Sequence, residues 1–197
     1  MRDYLDQYKI TVPEGVSGKW KIERFTVSDE DASLERIRSI FDGRRGVPAG
    51  TYTRLMRGGT VVMSDTPDEI RDHLDAIREA RGHVLVNGLG LGVVLQAALR
   101  KAEVENLTVV EQSPDVIALV APHYQAMFGS RLEIVEADAL EYKPPKGSRF
   151  GAVWHDIWDN MCADNLPQMH KLHRRYGRLS EWQGSWGRDY IEYRLGR

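Results

Sequence analysis

Three glycines at alternate positions form the clearest chemical signal in the chain. Gly88, Gly90 and Gly92 interrupt an apolar run that begins at Val84 and resumes at Val93. This order of residues predicts a strand, a tight loop and a helix. Glycines let the backbone approach a ligand closely, and the N-terminus of a helix favours polar or anionic groups. The loop therefore indicates a ligand site, although glycines also mark ordinary turns.

Two carboxylates further along the chain indicate what the loop could bind. Glu111 ends the next predicted strand roughly 20 residues after the glycines, the spacing at which a carboxylate accepts both ribose hydroxyls of a nucleoside. Asp138 follows the third predicted strand and could accept a hydrogen bond from an adenine amino group. In a dinucleotide fingerprint two residues separate the last two glycines, whereas only Leu91 separates Gly90 from Gly92. This spacing favours S-adenosylmethionine over NAD. We predict the following cofactor contacts: Gly88, Leu89, Gly90, Gly92, Glu111, Gln112, Asp138 and Ala139.

A third group of polar residues follows the fourth predicted strand and could contact a second substrate. Methyl transfer is an in-line displacement at a sulfonium carbon, in which the enzyme positions the acceptor and sometimes removes its proton. Asp156, Asp159 and His155 are the residues that we predict for this role. Asp156 or Asp159 could instead cap the following helix, and His155 could be a hydrogen-bonded structural residue. Cys162, the single cysteine, has no activating partner in the sequence and is expected to be inert.

The elements that position these residues alternate between strands and helices. Such alternation predicts an α/β fold with a Rossmann-like, doubly wound and mainly parallel sheet. Ligands of such sheets bind at the carboxyl ends of the strands, near the switch point of the topology. All three groups of polar or glycine-rich residues fall at these ends. The predicted strands are Val84–Asn87, Leu107–Glu111, Leu132–Glu136 and Phe150–Trp154.

Residues 1–80 are expected to form an N-terminal β/α extension, with a possible role as a lid or an oligomerisation element. The sequence predicts a β-hairpin around Arg57-Gly58-Gly59 and a helix that begins at Pro67, with Thr66 as its N-cap. The other predicted elements of this part are strands at Lys9–Val12 and Trp20–Val27, and a helix over Asp31–Phe41.

Residues 81–160 are expected to form the cofactor-binding core, and residues 161–197 a C-terminal helix and tail that pack on it. The helix is predicted from Leu166 to Tyr176. The tail contains Trp182 and Trp186 but no β-like run of useful length, so we expect the sheet to stop after its fourth strand. Either this tail or a second subunit would then cover the exposed edge, which makes a homodimer possible.

Composition limits the function classes. The 197 residues are 42% hydrophobic and 28% charged, with a formal net charge of −2, which argues against nucleic-acid binding through a generally basic surface. The basic run from Lys171 to Arg178 is expected to be a solvated helix face, with an anionic partner as the alternative. No cysteine framework, metal site or membrane-spanning run is predicted. The charged N-terminus is unlike a signal peptide, so we expect a cytoplasmic protein.

Residues 84 to about 160 resemble the class I S-adenosylmethionine-dependent methyltransferases, and within them the spermidine synthase branch. That branch carries a glycine-rich loop, a Val-Glu-Ile-Asp segment after the second strand and Asp-x-x-Asp-Pro after the fourth. The resemblance implies S-adenosylmethionine or S-adenosylhomocysteine as ligand, Asp156 at the proton-accepting position and Asp159 as a group that binds an amine. The matching segments here are Gly88-Leu89-Gly90-Leu91-Gly92-Val93, Val110-Glu111-Gln112-Ser113 and Asp156-Ile157-Trp158-Asp159-Asn160.

Three departures from this pattern narrow the expected activity. Leu91 stands where the synthases place an acid that holds the aminopropyl amine, and Asn160 replaces the proline of the last motif. Val86 stands where methyltransferases commonly place an acid for the methionine amine. Leu91 and Asn160 argue against aminopropyl transfer, whereas Val86 removes a usual contact to the methionine amine. We therefore expect a methyltransferase that acts on a small-molecule acceptor. The alternatives are a spermidine synthase-like aminopropyltransferase and a non-catalytic nucleoside-binding or assembly protein.

Overall fold

Two sheets organise the protein in the computed structural model, which describes residues 4–34 and 46–196. The N-terminal sheet is antiparallel, with the order β1-β2-β3-β4. Its strands are β1 Gly15–Ser17, β2 Trp20–Val27, β3 Gly50–Arg57 and β4 Thr60–Ser64. The predicted strand at Trp20–Val27 and the predicted hairpin are therefore confirmed.

The second sheet is parallel throughout, with the order β7-β6-β5-β8-β9. Its first strand along the chain lies in the middle, and the winding direction reverses between β5 and β8. This order places the switch point of the topology between these two strands. The α/β, Rossmann-like fold is thus confirmed. The strands are β5 Gly82–Asn87, β6 Val104–Glu111, β7 Leu132–Glu136, β8 Phe150–His155 and β9 Ser180–Ser185.

Six helices with both ends inside the described residues accompany the sheets, and residues 29–34 are helical as well. Val94, Leu95 and Leu99 of the helix after β5 are buried, as is Val86 in the middle strand, because a central parallel strand is covered on both faces. None of the described helices is both long and apolar enough to cross a membrane. The helices are α1 Pro67–Asp72, α2 Leu74–Glu79, α3 Val93–Leu99, α4 Pro114–Phe128, α5 Leu166–Tyr176 and α6 Arg188–Arg194.

The prediction that the sheet stops after its fourth strand is wrong. Ser180–Ser185 forms a fifth strand that runs parallel to β8, with Phe150 opposite Ser180 and His155 opposite Ser185. The strand was hidden in the sequence because its residues are mostly polar, as an edge strand permits. Trp182 stacks on Trp154 of β8, with ring centroids 6.2 Å apart and planes 10° from parallel. The C-terminal tail, rather than a second subunit, therefore covers the edge of β8.

Two predictions for the N-terminal part need correction. Residues Lys9–Val12 form no strand; the backbone N–H of Ile10 donates to Asp65 Oδ2 at 3.2 Å instead of to a neighbouring strand. The helix after Thr66 begins at Pro67 as predicted, but the Thr66 side chain does not cap it, because its hydroxyl bonds to Ser64 Oγ at 3.0 Å. Of the helix predicted over Asp31–Phe41, residues 29–34 are helical and the remainder lies outside the described residues.

Candidate functional site

A cavity lies at the carboxyl ends of β5, β6 and β8, beside the switch point of the sheet. It brings together residues that the sequence analysis found in four separate stretches. The predicted residues that line it are Gly88, Gly90, Glu111, Gln112, Asp138, Ala139, Asp156 and Asp159.

The three glycines serve close packing, each against a different neighbour. Gly88 has φ +98°, and a Cβ there would overlap the Asp156 carbonyl oxygen, so the loop lies directly against the chain that leaves β8. Gly92 has φ +78°, and a Cβ there would overlap the Tyr124 ring. Neither Gly92 nor the buried Leu89 lines the cavity. Their contact with a ligand stays a prediction, and in the structure Gly92 lets α3 begin next to α4.

Glu111 is held rigidly at the end of β6 by two backbone hydrogen bonds. Its Oε2 accepts from the Leu89 N–H at 2.9 Å, and its Oε1 accepts from the Ser113 N–H at 2.8 Å. A carboxylate has about four acceptor positions, so each oxygen keeps a lone pair that can face the cavity. Two fixed acceptors side by side suit a pair of neighbouring hydroxyl groups.

Asp138 is the second fixed acceptor of the site. Its Oδ1 accepts from the Leu140 N–H at 2.7 Å, which is an Asx-type turn that orients the carboxylate after β7. The side chain is exposed, and the neighbouring Ala139 is buried beneath it. Because Gln112 and Ala139 also line this end, the cavity there has the mixed apolar and polar walls that a flat heterocycle requires.

The backbone N–H groups of the glycine loop are largely occupied within the protein. Gly88 N–H donates to Val110 O at 2.8 Å and Gly92 N–H to Leu89 O at 2.9 Å. Leu91 N–H donates to the Met63 sulfur at 3.3 Å, and a Cβ at Gly90 would overlap that sulfur. Gly90 therefore makes room for Met63 of β4, and the loop offers few free donors to an anionic group.

Asp156 is the carboxylate with the most perturbed environment in the cavity. Burial, together with the nearby carboxylates of Glu69 and Asp72, raises its pKa to about 7. Its backbone N–H donates to Asn87 O at 2.8 Å, which fixes the start of the segment after β8. A carboxyl group with a pKa near neutrality can accept a proton and release it again at physiological pH.

The structure places His155 away from the cavity, which corrects its prediction as an acceptor contact. Side chains alternate along a strand, so Trp154 and His155 point to opposite faces of the sheet. The His155 ring is fully buried on the α5 side, 5.4 Å from the rings of His173 and Tyr176, with Nδ1 2.8 Å from the Asn87 amide nitrogen. Burial lowers its pKa to about 3, so it is a neutral structural histidine.

Asp159 lies at the mouth of the cavity and pairs with Arg57 of β3. The Arg57 guanidinium also lies over the Trp20 ring, 5.4 Å from its centroid. The N-terminal sheet thus contributes directly to the wall of the site. Asp159 is tied to the protein by this ion pair rather than facing the cavity unpaired.

Several lining residues were missed by the sequence analysis. Glu69 and His73 are four residues apart at the start of the predicted helix, and this spacing puts two side chains on one helical face. The sequence therefore held a signal for this pair. The three tryptophans come from β2, the segment after β8 and the segment after β9, which no local pattern connects. The missed residues are Trp20, Arg57, Met63, Glu69, His73, Trp158 and Trp186.

Comparison with known proteins returns only structural likenesses. No protein-family model and no curated protein matches the chain. The 23S rRNA methyltransferase ErmE is similar with 18% identity and a TM-score of 0.47, over 64% of this chain and 48% of that one. The N-methyltransferase NodS from Bradyrhizobium japonicum, in complex with S-adenosyl-L-homocysteine, is similar with 15% identity and a TM-score of 0.45, over 58% of this chain and 57% of that one. A dimethyladenosine transferase from Plasmodium falciparum is similar with 20% identity and a TM-score of 0.42, over 55% of this chain and 37% of that one. The matched region therefore spans about half the length of these chains.

Proposed function

We propose that the chain binds S-adenosylmethionine and transfers its methyl group to a small-molecule acceptor. The observation that carries this proposal is a single cavity in which Glu111, Asp138 and Asp156 surround the glycine loop. In the sheet order β7, β6, β5 and β8, Asp138, Glu111 and Asp156 follow the order adenine, ribose and reacting group along one extended ligand.

The residues present fit a nucleoside at one end of the cavity. The two oxygens of Glu111, each already fixed by one backbone N–H, would accept the two ribose hydroxyls. Asp138 Oδ2 would accept from the exocyclic amine of adenine, because its Oδ1 is engaged with Leu140. When bound, S-adenosylmethionine supplies an activated methyl group on a sulfonium sulfur.

The fit is weaker at the end that would receive the amino-acid part. Met63 takes the Leu91 N–H, and the fully buried Leu91 side chain offers no charge. We therefore propose that Met63 contacts this part of the ligand, and that most of the binding free energy comes from the nucleoside.

The charges of the cavity favour an amine as the acceptor. Five carboxylates line it, whereas its basic side chains are Arg57, which pairs with Asp159, and His73, whose pKa burial lowers to about 4. A cationic ligand is attracted to such a site and an anionic one is repelled. Asp156 would take the proton that the amine must lose before its nitrogen can attack. The carboxylates are Glu69, Glu111, Asp138, Asp156 and Asp159.

A second candidate is transfer of an aminopropyl group, as in the spermidine synthase branch. Asp156 and Asp159 in one cavity favour it. Leu91 argues against it, since no carboxylate stands at the loop position that would hold the transferred amine. A nucleoside-binding protein without catalysis is the third reading.

Calorimetry with three ligands separates these readings. We expect S-adenosylmethionine and S-adenosylhomocysteine to bind with similar affinity, and decarboxylated S-adenosylmethionine to show no strong preference over them, because most of the binding free energy comes from the nucleoside. Preference for the decarboxylated ligand would instead support aminopropyl transfer, and binding of none would contradict all three readings of the cavity. Transfer of a labelled methyl group to members of an amine panel, with alcohols and carboxylic acids as controls, then tests the acceptor class. Nucleoside binding without transfer to any of these acceptors would support the non-catalytic reading.

A further inference from the structure

His73 occupies the turn between α1 and α2 and reaches the floor of the cavity. His73 is both the C-cap residue of α1 and the N-cap residue of α2, with φ −96° and ψ −5°. The residue is 2% exposed, and its ring meets the Trp154 ring edge-on at a centroid distance of 6.0 Å. Its position is therefore set by both the backbone turn and the packing of the ring.

The Nδ1 atom of His73 faces the Asp156 carboxylate. It lies 3.9 Å from Asp156 Oδ2, and no other hydrogen-bond partner is found for it within the described residues. A buried polar nitrogen without a partner carries a free-energy cost, so its placement calls for an explanation. A small rotation of the Asp156 side chain, which is 21% exposed and borders the cavity, would close the gap to hydrogen-bond distance.

The other charged groups around Asp156 all oppose its ionisation. Glu69 and Asp72 face it from α1, and Glu111 faces it from β6. Two buried donors lie nearby: the Trp154 side chain, whose hydrogen bonding lowers the pKa of Asp156, and His73 Nδ1, for which no hydrogen-bond partner is found in the described part of the chain. A donor that reaches the carboxylate would favour its charged form and fix its orientation.

We propose that neutral His73, protonated on Nδ1, donates to Asp156 Oδ2 and turns Oδ1 toward the acceptor. This inference rests on the proposed function. In that reaction the acceptor nitrogen forms a bond to the methyl carbon while the carbon–sulfur bond breaks, with its electron pair left on sulfur. The proton of the acceptor passes to Asp156 Oδ1, and His73 keeps its own proton throughout. His73 is therefore a positioning residue, and Asp156 is the base.

The tautomer of His73 in the unaltered protein is the first test. Nitrogen NMR of the imidazole at pH 8.5, with the ring assigned by through-bond correlation to its backbone, reports which nitrogen carries the proton. We expect the Nδ1–H form. The Nε2–H form at this pH would overturn the proposal, because Nδ1 could not then donate to an ionised carboxylate.

The titration of Asp156 in two matched variants is the second test. The amide of His73→Asn can place a donor near the position of Nδ1, whereas that of His73→Gln reaches the position of Nε2. By carboxyl-carbon NMR we expect His73→Asn to keep the Asp156 midpoint and His73→Gln to raise it by about half a pH unit or more, since a donor to the charged form is lost. Equal midpoints in all three proteins would contradict the proposal.

These measurements need no ligand, so their outcome is separate from that of the calorimetry. An Nδ1–H tautomer in a protein that fails to bind S-adenosylhomocysteine would refute the proposed function and leave the His73–Asp156 contact in place. Binding together with an Nε2–H tautomer would refute only the positioning role.

Discussion

At the scale of single residues, the site depends on carboxylates whose surroundings assign them different tasks. Glu111 is fixed by two backbone donors, which makes it a rigid acceptor. Asp156 instead sits among other carboxylates and has a pKa raised to about 7, mainly by burial. Perturbed groups in a cavity are a physical indication of function, because such an arrangement lowers stability. We therefore expect the carboxylate of Glu111 to bind hydroxyl groups of the ligand and that of Asp156 to exchange protons.

Glu111→Gln is expected to weaken the binding of S-adenosylhomocysteine by about 10- to 100-fold, since a hydrogen bond to a charged group contributes about 1.5–3 kcal/mol. The amide keeps the size of the side chain but loses one of the two acceptors. Calorimetry measures the change. The matched control is Glu141→Gln, whose carboxylate lies on the surface and pairs with Lys171. An affinity equal to that of the unaltered protein would remove Glu111 from the site.

Asp156→Asn is expected to stabilise the protein at alkaline pH. The folded-state pKa of about 7 lies above the unfolded value of about 4, so the ionised group destabilises the fold fully above pH 7 and progressively less as the pH falls toward 4. We expect the variant to gain about 2 kcal/mol in the free energy of unfolding at pH 8.5 and distinctly less at pH 5.

Urea denaturation at the two pH values checks this expectation. Asp159→Asn is the control, since it alters an exposed carboxylate at the mouth of the same cavity and removes only a surface ion pair. A gain for Asp156→Asn that is the same at both pH values would contradict the assigned ionisation.

At the scale of elements, the glycine loop acts as a junction between strands and helices as well as a wall of the cavity. Gly88 lies against the segment after β8, Gly90 against Met63 of β4, and Gly92 against Tyr124 of α4. Tyr124 also donates its hydroxyl to Leu91 O at 2.8 Å, which ties α4 to the loop. The alternate spacing of the glycines thus reflects three packing contacts.

Gly92→Ala is expected to lower the free energy of unfolding by about 3 kcal/mol, because it combines a left-handed backbone with overlap of the Tyr124 ring. Gly58→Ala is the control, since Gly58 also has a positive φ, of +55°, but nothing lies within 4 Å of the added carbon. We expect a loss of only about 1 kcal/mol for it. Equal losses in chemical denaturation would show that packing against Tyr124 contributes nothing.

The sequence predicted those elements whose own residues determine them. The strands β5, β6 and β8 are rich in buried apolar residues, and Ser113 caps α4 as its position before Pro114 indicates, accepting from Val116 N–H at 3.3 Å. The strand β9 could not be predicted, because its mostly polar residues become a strand only through pairing with β8. His73 was missed for a similar reason, since its proximity to Asp156 results from tertiary packing.

At the scale of the whole molecule, a buried carboxylate joins the N-terminal segment to the antiparallel sheet, which in turn contacts the cavity. Asp65, which follows β4, is 2% exposed and accepts from the backbone N–H groups of Thr53 at 2.6 Å and Ile10 at 3.2 Å. Arg57 and Trp20 extend the N-terminal sheet over the mouth of the cavity. The site is therefore a property of both sheets together.

Asp65→Ala is expected to lower the free energy of unfolding by about 2–4 kcal/mol, since it leaves two buried N–H groups without acceptors. Tryptophan fluorescence and circular dichroism should still report one coincident transition, because other contacts join the N-terminal sheet to the rest of the protein, namely Ser17 with Asp115 and Met63 with the Leu91 N–H. The exposed Asp164→Ala serves as the control. Two separate transitions in the unaltered protein would contradict the idea of one cooperative unit.

The central claim, that this cavity holds an adenosine nucleoside at the ends of β5, β6 and β7, is tested most directly by mapping where the ligand binds. Backbone-amide NMR shifts can be followed residue by residue during titration with S-adenosylhomocysteine. We predict that the largest changes lie at residues 88–92, 111–113 and 138–140, and that they saturate together. No change at millimolar ligand, or changes confined to residues of β9 and α6, would contradict it.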